Sequence, residues 1–114
     1  MKSMSSDFIE ITDVPALDDF LTRNNVSAVV LFKHSDTCGV SARAYREMSQ
    51  LPGPVALVTV QRARAVSDEI ERRWQVEHET PQVLIVREGK LIWDASHFQI
   101  RAADVEKILT SELK

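Results

Sequence analysis

An α/β fold, with a mixed central sheet covered on both faces by helices, is predicted by three features of this 114-residue sequence. Apolar runs alternate with amphipathic stretches along the chain. Several of those runs are continuous, as expected of interior strands buried on both faces. A hairpin signature precedes the last amphipathic stretch. The implied order is β-α-β-α-β-α-β-β-α, in one domain over 8–114 behind a flexible N-terminal tail over 1–7. With 44% hydrophobic and 27% charged residues, the chain can hold one core without staples.

Each element has its own signal. Phe8-Ile9-Glu10-Ile11 alternates as a short strand. Thr12-Asp13 offers a helix cap and Pro15 fits a first turn. Val14, Leu17, Phe20 and Leu21 then recur at helical spacing until Asn24-Asn25. Ala28 to Phe32 is the first strong strand. A second helix is expected over 39–51, with Val40, Ala44, Met48 and Leu51 on one stripe, before the break at Pro52-Gly53-Pro54. Val55 to Val60 is the third strand. Ser67 reads as the N-cap of the third helix, with Asp68 and Glu69 in its first turn and Arg72 and Arg73 late. Val66, Ile70 and Trp74 share a face of that helix. Pro81 is expected at the first residue of a strand carrying Val83-Leu84-Ile85-Val86. Glu88-Gly89 turns that strand into Leu91-Ile92-Trp93, where alternation leaves the side of Trp93 open. Ala102 to Leu113 closes the chain as a helix with Val105, Ile108 and Leu109 inward.

Composition narrows the function. A net charge of −3, without a basic block or aromatic-basic interleaving, gives no support for nucleic-acid or membrane-surface binding. No apolar stretch reaches bilayer-spanning length. The start lacks the apolar core of a secretory signal, so a cytoplasmic location is expected. One cysteine makes no internal disulfide, which suits a reducing compartment.

That cysteine, Cys38, stands between the apolar strand and the second helix, in Lys33-His34-Ser35-Asp36-Thr37-Cys38-Gly39. A thiol at a helix start meets free backbone N–H groups and the positive end of the dipole, which favour thiolate. Strand carboxyl ends are also where sites gather in such sheets. The turn-like neighbours Asp36, Thr37 and Gly39 favour a reactive role over a buried, inert thiol. Lys33 and His34 would add positive charge and Asp36 would oppose it. Ser41 occupies the second position of a Cys-x-x-Cys pattern, so an outside thiol must complete any exchange. Its hydroxyl either hydrogen-bonds the thiolate or is an ordinary first-turn serine. Were the Thr80-Pro81 bond cis, the Thr80 backbone would face the Cys38 site and pair with an extended substrate. His34, His78 and His97 match no zinc spacing, and no metal is expected. His97 either borders the site or lies on the surface. Arg62 and Arg64 follow the third strand, as anion attractors or as a solvated loop. Asp18-Asp19 and Asp68-Glu69 read as helix surface, and Trp74 as core.

Taken together, these stretches resemble the thioredoxin-like superfamily and, more closely, the monothiol bacilliredoxin family of bacillithiol-using bacteria. The matching segments are Phe32-Lys33-His34-Ser35 through Thr37-Cys38-Gly39-Val40-Ser41, Arg62 to Ser67, His78-Glu79-Thr80-Pro81-Gln82-Val83-Leu84, and Gly89-Lys90-Leu91-Ile92-Trp93-Asp94-Ala95-Ser96-His97. The resemblance implies a thioredoxin-like three-layer sandwich, with a C-terminal hairpin on the mixed sheet and flanking helices. It implies a thiol–disulfide oxidoreductase that removes bacillithiol, or a similar small thiol, from S-thiolated client proteins. Cys38 would be the nucleophile, Pro81 the cis-proline and Thr80 the residue presenting backbone to substrate. Lys33, His34, Thr37, Gly39, Ser41 and His97 would support binding. The small thiol would be a co-substrate, no cofactor would be tightly bound, and a reductase would serve as a further partner. Gly39-Val40-Ser41 departs from the Pro-Ile-Ser of part of the family. It approaches the Cys-Gly-Phe-Ser of monothiol glutaredoxins, though position 40 is not Phe. An iron–sulfur cluster carrier is therefore one alternative, and a non-catalytic peptide-binding adaptor is another.

Overall fold

The computed structural model describes residues 7–24, 27–37 and 39–112. The elements follow the expected order: β1 (Asp7–Glu10), α1 (Val14–Arg23), β2 (Ala28–His34), α2 (Gly39–Met48), β3 (Pro54–Thr59), α3 (Arg64–Trp74), β4 (Gln82–Arg87), β5 (Lys90–Ser96), a 3₁₀ turn (His97–Gln99) and α4 (Ala102–Glu112). The tail expected over 1–7 lies outside the described residues except for Asp7.

One five-stranded sheet runs β1-β3-β2-β4-β5. β3 is parallel to β1 and β2, whereas β4 is antiparallel to β2 and β5. This is the mixed α/β architecture of the thioredoxin-like fold, with a C-terminal hairpin. Both faces of the sheet are covered, so its central strands are buried except at their ends. Val30, Phe32, Leu57, Val83 and Ile85 pack with Ala44 and Met48 of α2 and Val105 of α4. On the other face Val29, Leu31, Val58, Leu84 and Val86 pack with Leu17 and Phe20 of α1 and Val66 and Ile70 of α3. Burying apolar area on two faces is why β2, β3 and β4 read as continuous rather than alternating runs.

Local chemistry sets the ends of the elements. The Asp13 side chain accepts the Ala16 N–H at 2.8 Å and caps α1, as its sequence predicts. α2 ends at Met48, shorter than the 39–51 expected, yet Leu51 is still buried on the same core. The third helix corrects a second expectation. It begins at Arg64, and the Ser67 N–H already donates to the Ala63 carbonyl at 3.0 Å. Ser67 is therefore a buried interior residue rather than the cap, and Asp68 and Glu69 fall beyond the first turn. Pro81 precedes β4, which opens on Gln82. Glu88 and Gly89 both take positive φ, at 52° and 78°, as a two-residue hairpin turn requires. A bulge then breaks the alternation of β5, so Ile92 and Trp93 both pack against the core under α2 and α4. Among the described residues no helix is long and apolar enough to cross a membrane.

Candidate functional site

The carboxyl end of β2 hands the chain to α2 through a turn at 35–37. Two side chains from the loop after β3, Gln61 and Arg62, hold that turn. Gln61 Nε2 donates to Ser35 Oγ at 2.8 Å, and Gln61 Oε1 accepts the Asp36 N–H at 3.1 Å. Ser35 Oγ also accepts the Thr37 N–H at 3.4 Å. From α2, the buried Ser41 Oγ accepts the Ser35 N–H at 3.2 Å. Arg62 spans Asp36 and Glu10, each at 2.9 Å, and ties the turn to β1. Cys38 itself lies outside the described residues. Its sequence neighbour Gly39 is the first residue of α2. A Cβ at Gly39 would meet nothing within 4 Å, so close packing is not what requires glycine there.

The two bases of the motif separate onto opposite faces of the sheet. Lys33 shares the face of Leu31 and is fully buried. Its Nζ has no hydrogen-bond partner among the described residues. Burial pulls its pKa down to about 8, against the pull of Glu71, Asp68 and Glu79. His34 shares the face of Phe32, with its ring 5.6 Å from Phe32 and 5.1 Å from Tyr45. Burial lowers its pKa as well, more than Asp36, at 3.5 Å, raises it. Positive charge at His34 is therefore disfavoured, because burial draws the imidazole toward its neutral form. A cavity of about 510 Å³ beside it is walled by Asp36, Tyr45, Arg46 and Arg62, among others.

The Thr80–Pro81 bond is cis. The segment leading to it is fixed from three directions. His78 Nδ1 lies 3.1 Å from Ser67 Oγ, and the His78 N–H donates to Glu71 at 3.2 Å, both on α3. Gln82 Nε2 donates to the Glu77 carbonyl at 2.9 Å. The His97 N–H donates to the Pro81 carbonyl at 3.0 Å, and His97 Nε2 lies 3.1 Å from Glu79. His97 thus borders this segment even though its side chain is half exposed. Burial lowers the pKa of His78, with Lys33 and Arg64 adding to the effect.

Geometry therefore gathers Ser35, Thr37 and Ser41 into one network and joins His97 to the Thr80–Pro81 segment. Lys33 is set apart on the α3 face. Gln61 escaped sequence reading, since its only signal is its place at a strand's carboxyl end. Trp74 is half-buried, packs against the core on the α3 face and donates Nε1–H to the Gly89 carbonyl at 3.0 Å. Asp18 and Asp19 sit on the surface, paired with Arg73 and Arg23. Among the described residues no three His, Cys, Asp or Glu side chains group closely enough to hold a metal.

Comparison with known proteins places this arrangement. A family model described as monothiol bacilliredoxin BrxC matches residues 9–105. Among solved structures, an oxidoreductase candidate with a thioredoxin fold superposes with a TM-score of 0.79 at 26% identity, over 88% of this chain and 91% of that one. Spinach chloroplast thioredoxin f gives 0.73 at 11% identity, over all of both chains. Schistosoma mansoni thioredoxin gives 0.66 at 18% identity, over 96% of this chain and 98% of that one. The last two likenesses are of fold alone.

Proposed function

Since the chain belongs to the monothiol bacilliredoxin family, we propose that it strips bacillithiol, or a similar small thiol, from S-thiolated client proteins. Family and fold give it a redox role in the thioredoxin-like class. The observation that carries the finer reading is Ser41. It is buried at the position of a second motif cysteine, with Oγ engaged by the Ser35 N–H. The chain has no other cysteine to resolve a mixed disulfide.

The reaction is then two exchanges. The Cys38 thiolate attacks the small-thiol sulfur of the client's mixed disulfide. The client sulfur departs as thiolate and takes a proton, leaving Cys38 disulfide-bonded to the small thiol. A second small thiol, or a reductase, attacks that bond and returns Cys38 as thiol. Electrons balance because each exchange makes one disulfide as it breaks another. No cofactor is required.

Three features support these roles. Gly39 opens α2, whose first N–H groups and dipole would stabilise a thiolate beside them. The cis Thr80–Pro81 segment, fixed by α3 and His97, suits Thr80 to pair with substrate backbone. The network of Ser35, Thr37 and Ser41 keeps the turn in one geometry. We place this activity in the cytoplasm, where thiols stay reduced.

The test is release of a bacillithiolated client by wild type and by Cys38→Ser. The variant is expected to lose essentially all release, and mass spectrometry of wild type should find one small thiol on Cys38. Undiminished release by Cys38→Ser would remove the mechanism.

A further inference from the structure

Acceptors outnumber donors beside the Thr80–Pro81 segment. A cavity of about 360 Å³ opens at the sheet edge, walled by Val76, Glu77, Glu79, Gln82, Asp94 and Ser96. Gln82 is only 2% exposed. Its Nε2 donates to the carbonyl of Glu77, itself in the wall, which holds the amide head there and fixes which end is oxygen. That oxygen, Oε1, is buried without a hydrogen-bond partner among the described residues. A buried acceptor left unpaired costs about 1–3 kcal/mol, so an unpaired one at a cavity wall points to a donor from outside.

Every ionisable group in that wall is a carboxylate. Ser96 stands opposite Gln82 in the ladder and Asp94 opposite Leu84, so Gln82, Asp94 and Ser96 leave the sheet on one face. Glu79 already serves His97, which leaves Glu77 and Asp94 to carry the free negative charge. The obvious internal donor does not meet the need. Lys33 stands opposite Gln82 on the neighbouring strand, yet its Nζ hydrogen-bonds neither Gln82 nor any other described residue. A metal ion is a poor occupant, because no three candidate ligands group closely enough among the described residues. Acceptors spread around a cavity suit an organic cation with several N–H donors, each reaching a different oxygen.

We propose that this cavity is a subsite for a primary ammonium group of the thiolated substrate. The assignment rests on the exchange reading above, in which Thr80 presents its backbone to substrate. Glu79 and Gln82 flank Thr80-Pro81 in sequence. Both also line the cavity, so it lies next to the backbone on which that reading seats the substrate, within reach of an amine carried beside the disulfide. That amine has two sources, a free amino group on the small thiol or a lysine beside the client's modified cysteine.

Binding is measured first, without turnover. n-Butylammonium chloride is titrated into the ¹⁵N-labelled full chain, with tetramethylammonium chloride as a cation that lacks N–H donors. Butylammonium is expected to shift the Gln82 side-chain amide and the backbone amides of Glu77, Glu79, Asp94 and Ser96, and tetramethylammonium is not. The double variant Glu77→Gln/Asp94→Asn should bind about tenfold more weakly, and Asp94→Asn alone serves should the pair fail to fold. Equal shifts from both cations, no saturable shift, or unchanged affinity in the variant overturns the site.

Turnover of mixed-disulfide peptides then names the source. One arm compares a small thiol with its amine free or acetylated. The other compares lysine with glutamine beside the modified cysteine. A roughly fivefold preference in kcat/KM for the cationic member of one arm, reduced in the variant, supports the subsite and identifies the amine. Equal rates in both arms overturn it. Absence of any turnover alongside intact butylammonium binding defeats the exchange reading, and with it the assignment to substrate, while the cation site stands.

Discussion

Lys33 and His34 are consecutive residues of β2, and they show what two faces of one sheet do to a base. Both are drawn toward neutrality by burial. The outcomes differ because the starting points differ. A histidine lowered from 6.5 is neutral at pH 7, so its face, lined by Phe32 and Tyr45, buries no charge. A lysine lowered from 10.5 to about 8 still carries its proton at pH 7. The α3 face thus holds an ammonium without a hydrogen-bond partner among the described residues. Glu71, Asp68 and Glu79 keep it charged through space. One face is settled at neutral pH, and the other carries a cost.

The largest change comes from dismantling the settled face. Phe32 is fully buried under α2 and α4 and supports the His34 ring. Phe32→Ala should cost about 3–5 kcal/mol in urea unfolding. In the surviving fold, water reaching the imidazole should move its pKa back toward 6.5. A loss below 1 kcal/mol would mean that this face is not a packed shelf.

The next change acts on the costly face with the opposite sign. Lys33→Met keeps the stem and removes the charge, so it should raise stability by about 2 kcal/mol at pH 7. The pH dependence follows from the folded pKa lying below the unfolded one. Below about 8 both states hold the proton, and the burial cost is present in full. Between about 8 and 10.5 the folded lysine has released its proton while the unfolded chain still binds one, so wild-type stability rises with pH. The advantage of Lys33→Met should therefore shrink between pH 7 and pH 10. Chemical denaturation at both values decides it, and an advantage independent of pH would show that packing rather than charge is responsible. Stability gained in this way at a motif residue commonly comes with lost function.

A smaller effect sharpens the contrast. His34→Phe should change stability at pH 7 by less than about 1.5 kcal/mol, since no charge is lost and the volume is similar. On the acid side the wild type should lose stability as pH falls below 6.5 toward the lowered folded pKa, because the unfolded chain takes the proton first. His34→Phe should remove that share of the slope. An NMR titration that places the His34 midpoint above 6.5 contradicts the account.

The fold was legible in the sequence because burial on two faces writes itself as long apolar runs. The runs in β2, β3 and β4 give both strand positions and class. Lys33 was harder to place. Its position just after such a run leaves burial open, its residue type argues for surface, and only the structure, which continues β2 through it to His34 and buries it fully opposite Gln82, shows which prevails. Within the candidate site, the motif residues stand together in sequence, but Gln61 and Glu79 act through tertiary contacts that no local pattern encodes. The side of Trp93 was undetermined because a bulge breaks the period of two that assigns sides.

Ser67 carries the finest distinction between pattern and structure. Serine followed by Asp68 and Glu69 has the composition of a helix start. The true start at Arg64 follows Ala63, which has no side chain able to cap it. Ser67 instead lies one turn in and lends its hydroxyl to His78 Nδ1 at 3.1 Å, across to the segment that ends in cis Pro81. The two roles predict different damage from Ser67→Ala, although either costs only about 1 kcal/mol. Loss of a cap would speed amide hydrogen exchange in the first turn of α3. Loss of a tie to His78 should leave that turn protected and speed exchange at His78, whose N–H is held by Glu71 on the same helix. We expect the second pattern, and faster exchange confined to 64–67 would restore the capping role.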